Sequence, residues 1–311
     1  IVNRNLYNYE NNDCYILCNS KLLSCKQILK RFIIENGYDY KKVEVLTSLI
    51  WINMAPLHEY PFSDFLFNFG KMNLIKGYQM IKYFIGPMSK NVVDCVISSN
   101  SLNSDKIGFI PSRRQVSYDG GYVNNWCTES FRDYAKDSFI VRDHAGPGQG
   151  VKNDDGYLSL SYDCKFFDVI HIDPWKRHPE FEAGVDWTVD MINFCCDQNA
   201  SVSFEVATEE SIRAFKAKEI STLLQKLKNK LTPDRFKRIK YCVIQSGTSL
   251  RENHNTGQYD SEKLTRMIDA VKQYDILTKE HNGDYLPRDL IKHKFELGLD
   301  CINIAPEFGQ I

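Results

Sequence analysis

The hydrophobic pattern changes character near residue 90. Before it, apolar positions recur three and four residues apart, as in "SCKQILKRFIIENG" (24–37), which closes on a glycine as a helix C-terminus does. "VEVLTSLIWINMAPL" (43–57) and "PFSDFLFNFGKMNLIKGYQMIKYFIG" (61–86) carry the same spacing, and Pro61 with Ser63-Asp64 suits the start of the latter. Residues 1–85 are therefore expected to form an aromatic-rich helical segment without a catalytic constellation. Beyond it the apolar residues gather into short continuous runs. These are "NVVDCVIS" (91–98), "IGFIPS" (107–112), "SFIVRDH" (138–144), "FFDVIHIDP" (166–174), "SVSFEVAT" (201–208), "IKYCVIQSG" (239–247), "YDILTKEHNG" (274–283) and "LDCINIAPE" (299–307). Unbroken apolar runs fit strands buried on both faces.

Helical spacing fills most of the intervals: 128–137, 184–199, 208–231, 260–274 and 286–298. Thr208 reads as an N-cap of the third of these, with Glu209 and Glu210 in its first turn, where the helix dipole favours acids. Strand and helix in alternation predict a parallel sheet, and eight repeats predict an α/β fold of the (β/α)8 TIM barrel type over 86–311, with an extra N-terminal helical segment. The last helix of that pattern is missing before Ile311. The rival architecture is an open doubly wound sheet, whose usual GxGxxG after the first strand is absent.

Active sites of such barrels lie at the C-terminal ends of the strands. Polar residues collect there: Ser112-Arg113-Arg114, Arg142-Asp143-His144, His171 with Asp173, Glu205, Gln245-Ser246-Gly247-Thr248, Glu280-His281-Asn282-Gly283, and Asn303 with Glu307. A single strand ending in a charge is often just meeting solvent; seven converging on one mouth point to a polar ligand or a metal. His144, Glu205 and His281, with His171 as a further candidate, can supply a His/carboxylate set with open positions for a divalent metal. A hydrogen-bonded network of histidines is the competing reading. Gly148 and Gly150 in "GPGQG", Gly247 and Thr248 in "SGTS", and Asn282 and Gly283 in "HNG" form loops suited to phosphate, with Arg113 and Arg114 as forks, although glycines also merely let a chain turn. Glu280 stands at the same strand ends as a candidate catalytic carboxylate, and Asp173 and Gln245 as candidate substrate contacts.

The motifs "RDHAGPGQG", "IHIDP", "FEVATEE", "VIQSG", "EHNGDYL" and "INIAPEFG", in this order, resemble the class II tagatose-bisphosphate aldolase family, and most of all its non-catalytic-type subunit. The likeness covers roughly 90–311. It implies that Asp143 moves a proton, that His144 and His281 bind a divalent metal, zinc in that family, and that Asn303 contacts substrate. The family also has a histidine on the sixth strand, where this chain has Gln245. The resemblance implies a metal-dependent carbon–carbon lyase acting on a phosphorylated ketose. Two alternatives stand beside it: a non-catalytic subunit stabilising an aldolase partner, and a barrel enzyme of surface-glycan sugar synthesis.

Composition narrows the picture further. The formal net charge of -1 over 311 residues gives no polyanion-binding signature, so no nucleic-acid partner is expected. Ten cysteines without a CxxC pair read as core thiols of a reducing cytoplasm. No apolar run is long enough to span a bilayer, so no membrane role is expected. The expected partners are a phosphorylated sugar and either an aldolase subunit or further copies of the chain. The chain begins at Ile1, which is expected of a piece of a longer protein.

Overall fold

The computed structural model describes residues 7–10, 13–16, 40–78, 81–103, 106–150, 154–251 and 254–309, with scattered positions between 25 and 38. The chain forms two compact units, Ile1–Met80 and Ile81–Ile311. In the first, strands Tyr7–Glu10 and Asp13–Ile16 pair antiparallel, and helices Tyr40–Met54 and Phe62–Tyr78 follow. Phe65, Leu66 and Ala55 form their small core. The helix expected at 24–37 lies largely outside the described residues.

The second unit is a TIM barrel. Its strands are β1 (Tyr83–Ile85), β2 (Gly108–Phe109), β3 (Val141–Ala145), β4 (Val169–Ile172), β5 (Ser203–Val206), β6 (Ile239–Ile244), β7 (Leu277–Glu280) and β8 (Cys301–Ile304). All pair in parallel in the order β2-β1-β8-β7-β6-β5-β4-β3. Single bridges Phe109–Ile140 and Ser112–Asp143 bring the two ends together and nearly close the ring. The interleaved helices are α1 (Lys90–Leu102), α2 (Thr128–Ala135), α3 (Tyr157–Phe166), α4 (Phe181–Gln198), α5 (Ala217–Lys230), α6 (Ser261–Lys272) and α7 (Arg288–Glu296).

Two expectations need correction. The run 91–98 is not the first strand but lies inside α1, where the Ser89 side chain accepts from the Val92 amide and Val93 and Val96 are buried. Strand one is Tyr83–Ile85, within the run expected to close the helical segment. A cluster of valines satisfies both a short strand and one buried helix face, so composition could not separate them.

Alternation along each strand then decides which side chains reach the mouth. Phe84, Val141, Val169, Tyr241 and Cys301 pack together as one buried cluster, which forms the floor of the barrel interior. Two residues further on the same faces come Asp143, His171 and Asn303, and on β7 Lys279 is followed by His281. The intervening residues face the helices. Arg142 is one of them: its guanidinium meets Asp163 of α3 at 2.6 and 2.9 Å and donates to the carbonyls of Pro111 and Val116.

Candidate metal centre

Parity alone would turn His144 away from the mouth if Asp143 faces it. An irregularity in the β3–β4 register between Arg142 and Ala145 removes that conflict, with His144 held at φ +46°. Such bulges re-aim side chains, and a left-handed non-glycine residue there is a local strain that the surroundings must hold. Asp143 and His144 consequently both enter the mouth.

Asp143, His144, His171 and His281 each bring one ligand atom within 4.8 Å of the others. The three imidazole rings form a triangle with centroids 4.9, 5.0 and 5.3 Å apart. Each ring spends one nitrogen behind the cluster. His144 Nδ1–H donates to Asp173 Oδ2 at 2.6 Å, His281 Nε2–H to Glu205 Oε1 at 2.7 Å, and His171 Nε2–H to the Ala207 carbonyl at 2.9 Å. These partners fix which nitrogen faces the cluster, His144 Nε2, His281 Nδ1 and His171 Nδ1, the last accepting from the His144 amide at 3.3 Å; a metal would take the first two in exchange for their protons. Imidazoles backed by carboxylates or carbonyls are the usual support of catalytic metal ligands. The donor set therefore fits a divalent cation.

A second carboxylate approaches from the loop after β5. Glu209 Oε2 lies 3.8 Å from both His144 Nε2 and His281 Nδ1. Sequence pattern placed Glu209 in a helical first turn, but α5 begins only at Ala217, and Thr208–Lys216 is a loop over the mouth. Gln245 holds that loop: its Nε2 donates to the Thr208 and Arg213 carbonyls and its Oε1 accepts from the Phe215 amide, each at 2.8 Å. Gln245 is thus a loop clamp rather than a substrate contact, and the third imidazole comes from His171 on β4.

Other candidates are also placed differently from expectation. Glu205 is not among the clustered ligands; it lies behind His281 and accepts from Lys279 Nζ at 2.7 Å. Lys279 is itself buried, 4.0 Å over the Phe84 ring. Glu280 faces the helices, where Lys294 of α7 donates to it at 2.6 Å and Ser246 and Thr248 donate to its other oxygen. That corrects both Glu280 as a catalytic group and Thr248 as a phosphate contact. Gly247 is packed against the Gln258 carbonyl, where a Cβ would come within 2.1 Å, so its freedom serves a turn at φ +88°. Asp173 is spent on His144 and on the Thr208 hydroxyl at 3.0 Å, and makes no open surface for substrate. Gly283 donates its amide to the Asn303 carbonyl at 2.9 Å.

Two lobes open from the centre and meet at Ser112, Arg114, Asp143 and His144. One, about 510 Å³, is lined by Arg113, Arg114, Gly148, Gly150, Lys176 and Arg177. The other, about 410 Å³, is lined by Glu209, His281, Asn282, Asp284 and Asn303 among others. Asn303 Oδ1 is buried with no hydrogen-bond partner among the described residues.

Burial opposes charge on His144, but Asp143, Asp173 and Glu209 outweigh it and push the imidazole up to about 10. Burial is likewise overcome at His281 by Glu205, Glu209 and Asp143, which push it up to about 9. His171 is lowered by burial, helped by the two neighbouring imidazoles against the pull of Glu205. Raised imidazoles stabilise the metal-free fold fully below their unfolded value of 6.5 and cease to do so as pH climbs to about 9 and 10. Metal-free protein should therefore lose thermal stability between pH 6.5 and about 10, whereas zinc should remove most of that loss by displacing the protons. Thermal unfolding with zinc and with a chelator across this range checks it; parallel curves would contradict it.

No family model matches the sequence, and no curated protein matches it. Solved structures do match in fold. A probable tagatose 6 phosphate kinase from Sinorhizobium meliloti superposes with a TM-score of 0.61 at 15% identity, over 73% of this chain and 65% of its own. This chain therefore spans just under two thirds of that protein's length. The YdjI aldolase from Escherichia coli K12 gives 0.55 at 13% identity, over 77% and 81% of the two chains. A putative fructose-1,6-biphosphate aldolase from Coccidioides immitis gives 0.54 at 12% identity, over 75% and 79%. The chain is a TIM barrel distantly similar in structure to aldolases, with a candidate metal centre at the C-terminal mouth of its strands.

Proposed function

We propose that this chain is a metal-dependent aldolase-type carbon–carbon lyase acting on a phosphorylated ketose. The observation that carries the reading is the convergence, at the barrel mouth with Asp143, of three histidines each anchored through its outer nitrogen. His144, His171 and His281 would hold the cation, zinc being the ion the family resemblance implies. When bound, it supplies Lewis-acid polarisation of a substrate carbonyl. Asp143 takes the hydroxyl proton as that oxygen becomes an aldehyde, the carbon–carbon electron pair passes to the ketone-side fragment as an enediolate, and the proton held by Asp143 returns to that carbon. Its carboxylate is partly exposed to the cleft and close to the imidazoles, 3.7 Å from His144 Nε2. Glu209 faces the same space and is held ionised by His281 and His144 against the cost of burial, so it remains an acceptor for substrate hydroxyls. Asn303, whose buried oxygen has no partner among the described residues, offers an acceptor to a further hydroxyl.

Asp143→Asn should lower turnover of a ketose phosphate by roughly 10²–10⁴-fold, the usual worth of a positioned acid–base group, while the histidines keep their zinc. Triose phosphate release and zinc content, measured on the same samples, check this. Undiminished turnover in the variant would remove Asp143 from the chemistry.

A further inference from the structure

Barrels that bind phosphate commonly do so at the loops after strands seven and eight, with the N-terminus of a short extra helix. That short helix exists here as a 3-10 turn, Pro306–Gly309. Amides at its start are already taken by the chain. Asp284, just past β7, accepts at Oδ1 from the Ala305 amide at 2.9 Å and the Glu307 amide at 2.8 Å. In return Glu307 Oε2 accepts from the Tyr285 amide at 2.8 Å. The Gly283 amide is bonded to Asn303, and the Thr248 hydroxyl to Glu280. A phosphate at this position would meet the buried Asp284 carboxylate where it needs donors.

The opposite side of the mouth has the reverse character. Arg113, Arg114, Lys176 and Arg177 line that lobe. Arg113 is buried, paired with Asp154, and its Nε has no hydrogen-bond partner among the described residues. The loop from β3 lies directly against these groups: a Cβ on Gly150 would stand 2.6 Å from Arg113 Cζ, and one on Gly148 2.7 Å from Arg177 Nε. The lining of this lobe sets four cations beside one carboxylate, Asp143, and Asp154 pairs with Arg113, so its character suits a phosphate.

We infer that the substrate is charged at one end only: its phosphate seats among Arg113, Arg114, Lys176 and Arg177, and its other end is a neutral, hydroxylated chain lying toward Asp284 and Asn303. This rests on the phosphosugar reading above and narrows it from sugar phosphates in general to monophosphates. A bisphosphate would have to place its second phosphate against Asp284 and Glu209.

Calorimetry on the zinc-loaded protein with fructose 1-phosphate, fructose 6-phosphate and fructose 1,6-bisphosphate tests it. At least one monophosphate should bind no more weakly than the bisphosphate. In the double variant Arg114→Ala/Arg177→Ala, which alters exposed side chains, its affinity should fall by about tenfold or more, the worth of a lost charge-assisted contact. Bisphosphate binding about tenfold tighter than both monophosphates would overturn the one-ended substrate while leaving the phosphosugar reading intact. Binding unaffected by the double variant would overturn the assigned seat. If no probe binds while zinc remains on the protein, the inference falls together with the phosphosugar reading, and the metal centre alone stands.

Discussion

His281→Ala should abolish tight zinc binding. His281 is the best supported of the three imidazoles: its Nε2–H is held by Glu205, and Glu205 is held by the buried Lys279. Lys279 and His281 together keep the Glu205 carboxyl well below the usual carboxylate range against the cost of burial. This anchoring turns Nδ1 toward His144 and His171. Removing the imidazole deletes a donor outright; Glu205→Gln only weakens its support. Loss of a supporting partner typically costs ~10–100-fold in metal affinity, and His281→Ala should exceed that range. Competition with a zinc chelator measures both variants. Equal losses, or none in His281→Ala, would show that zinc is held elsewhere.

Asp163→Ala should produce the largest loss of stability. Arg142 is fully buried and its guanidinium has all its bonds inside the protein: two to Asp163 and one each to the Pro111 and Val116 carbonyls. It also lies 4.8 Å over the Phe167 ring. Deleting Asp163 leaves that charge uncompensated in the interior, a change that costs about 3–5 kcal/mol. For a unit of this size that corresponds to a fall in Tm of roughly 6–20 °C. The pair ties β3 to α3 and to the loop after β2, so it also holds the backbone that presents Asp143 and His144. Thermal denaturation of the metal-free protein reads the effect directly. A shift of only about 1–2 °C, within the range of a surface substitution, would mean that the pair contributes nothing beyond its packing.

The barrel was legible because buried parallel strands leave continuous apolar runs, and seven of the eight expected runs overlap the observed strands. The first did not, because Val92, Val93 and Val96 serve a helix face as well as they would a strand. Reading polar strand ends as one mouth located Asp143, His144, His171 and His281 correctly as neighbours. It could not rank them, since roles depend on strand parity and on a one-residue irregularity. Arg142 and Glu280 turn to the helices, and the left-handed His144 has no sequence signature. Glu209 was missed as a site residue because an acid after a threonine also suits a helix start. The signal that separates the two is the Gln245 side chain, which binds three backbone groups of loop 208–216 from a distant strand. The blocked position at Pro306 was equally hidden, since it depends on which oxygen of Asp284 meets which amide.

Anomalous diffraction from crystals grown with zinc tests the metal centre most directly. The predicted result is one peak at bonding distance, ~2.0–2.1 Å, from His144 Nε2, His171 Nδ1 and His281 Nδ1. A peak elsewhere, or none in zinc-saturated crystals, would contradict it.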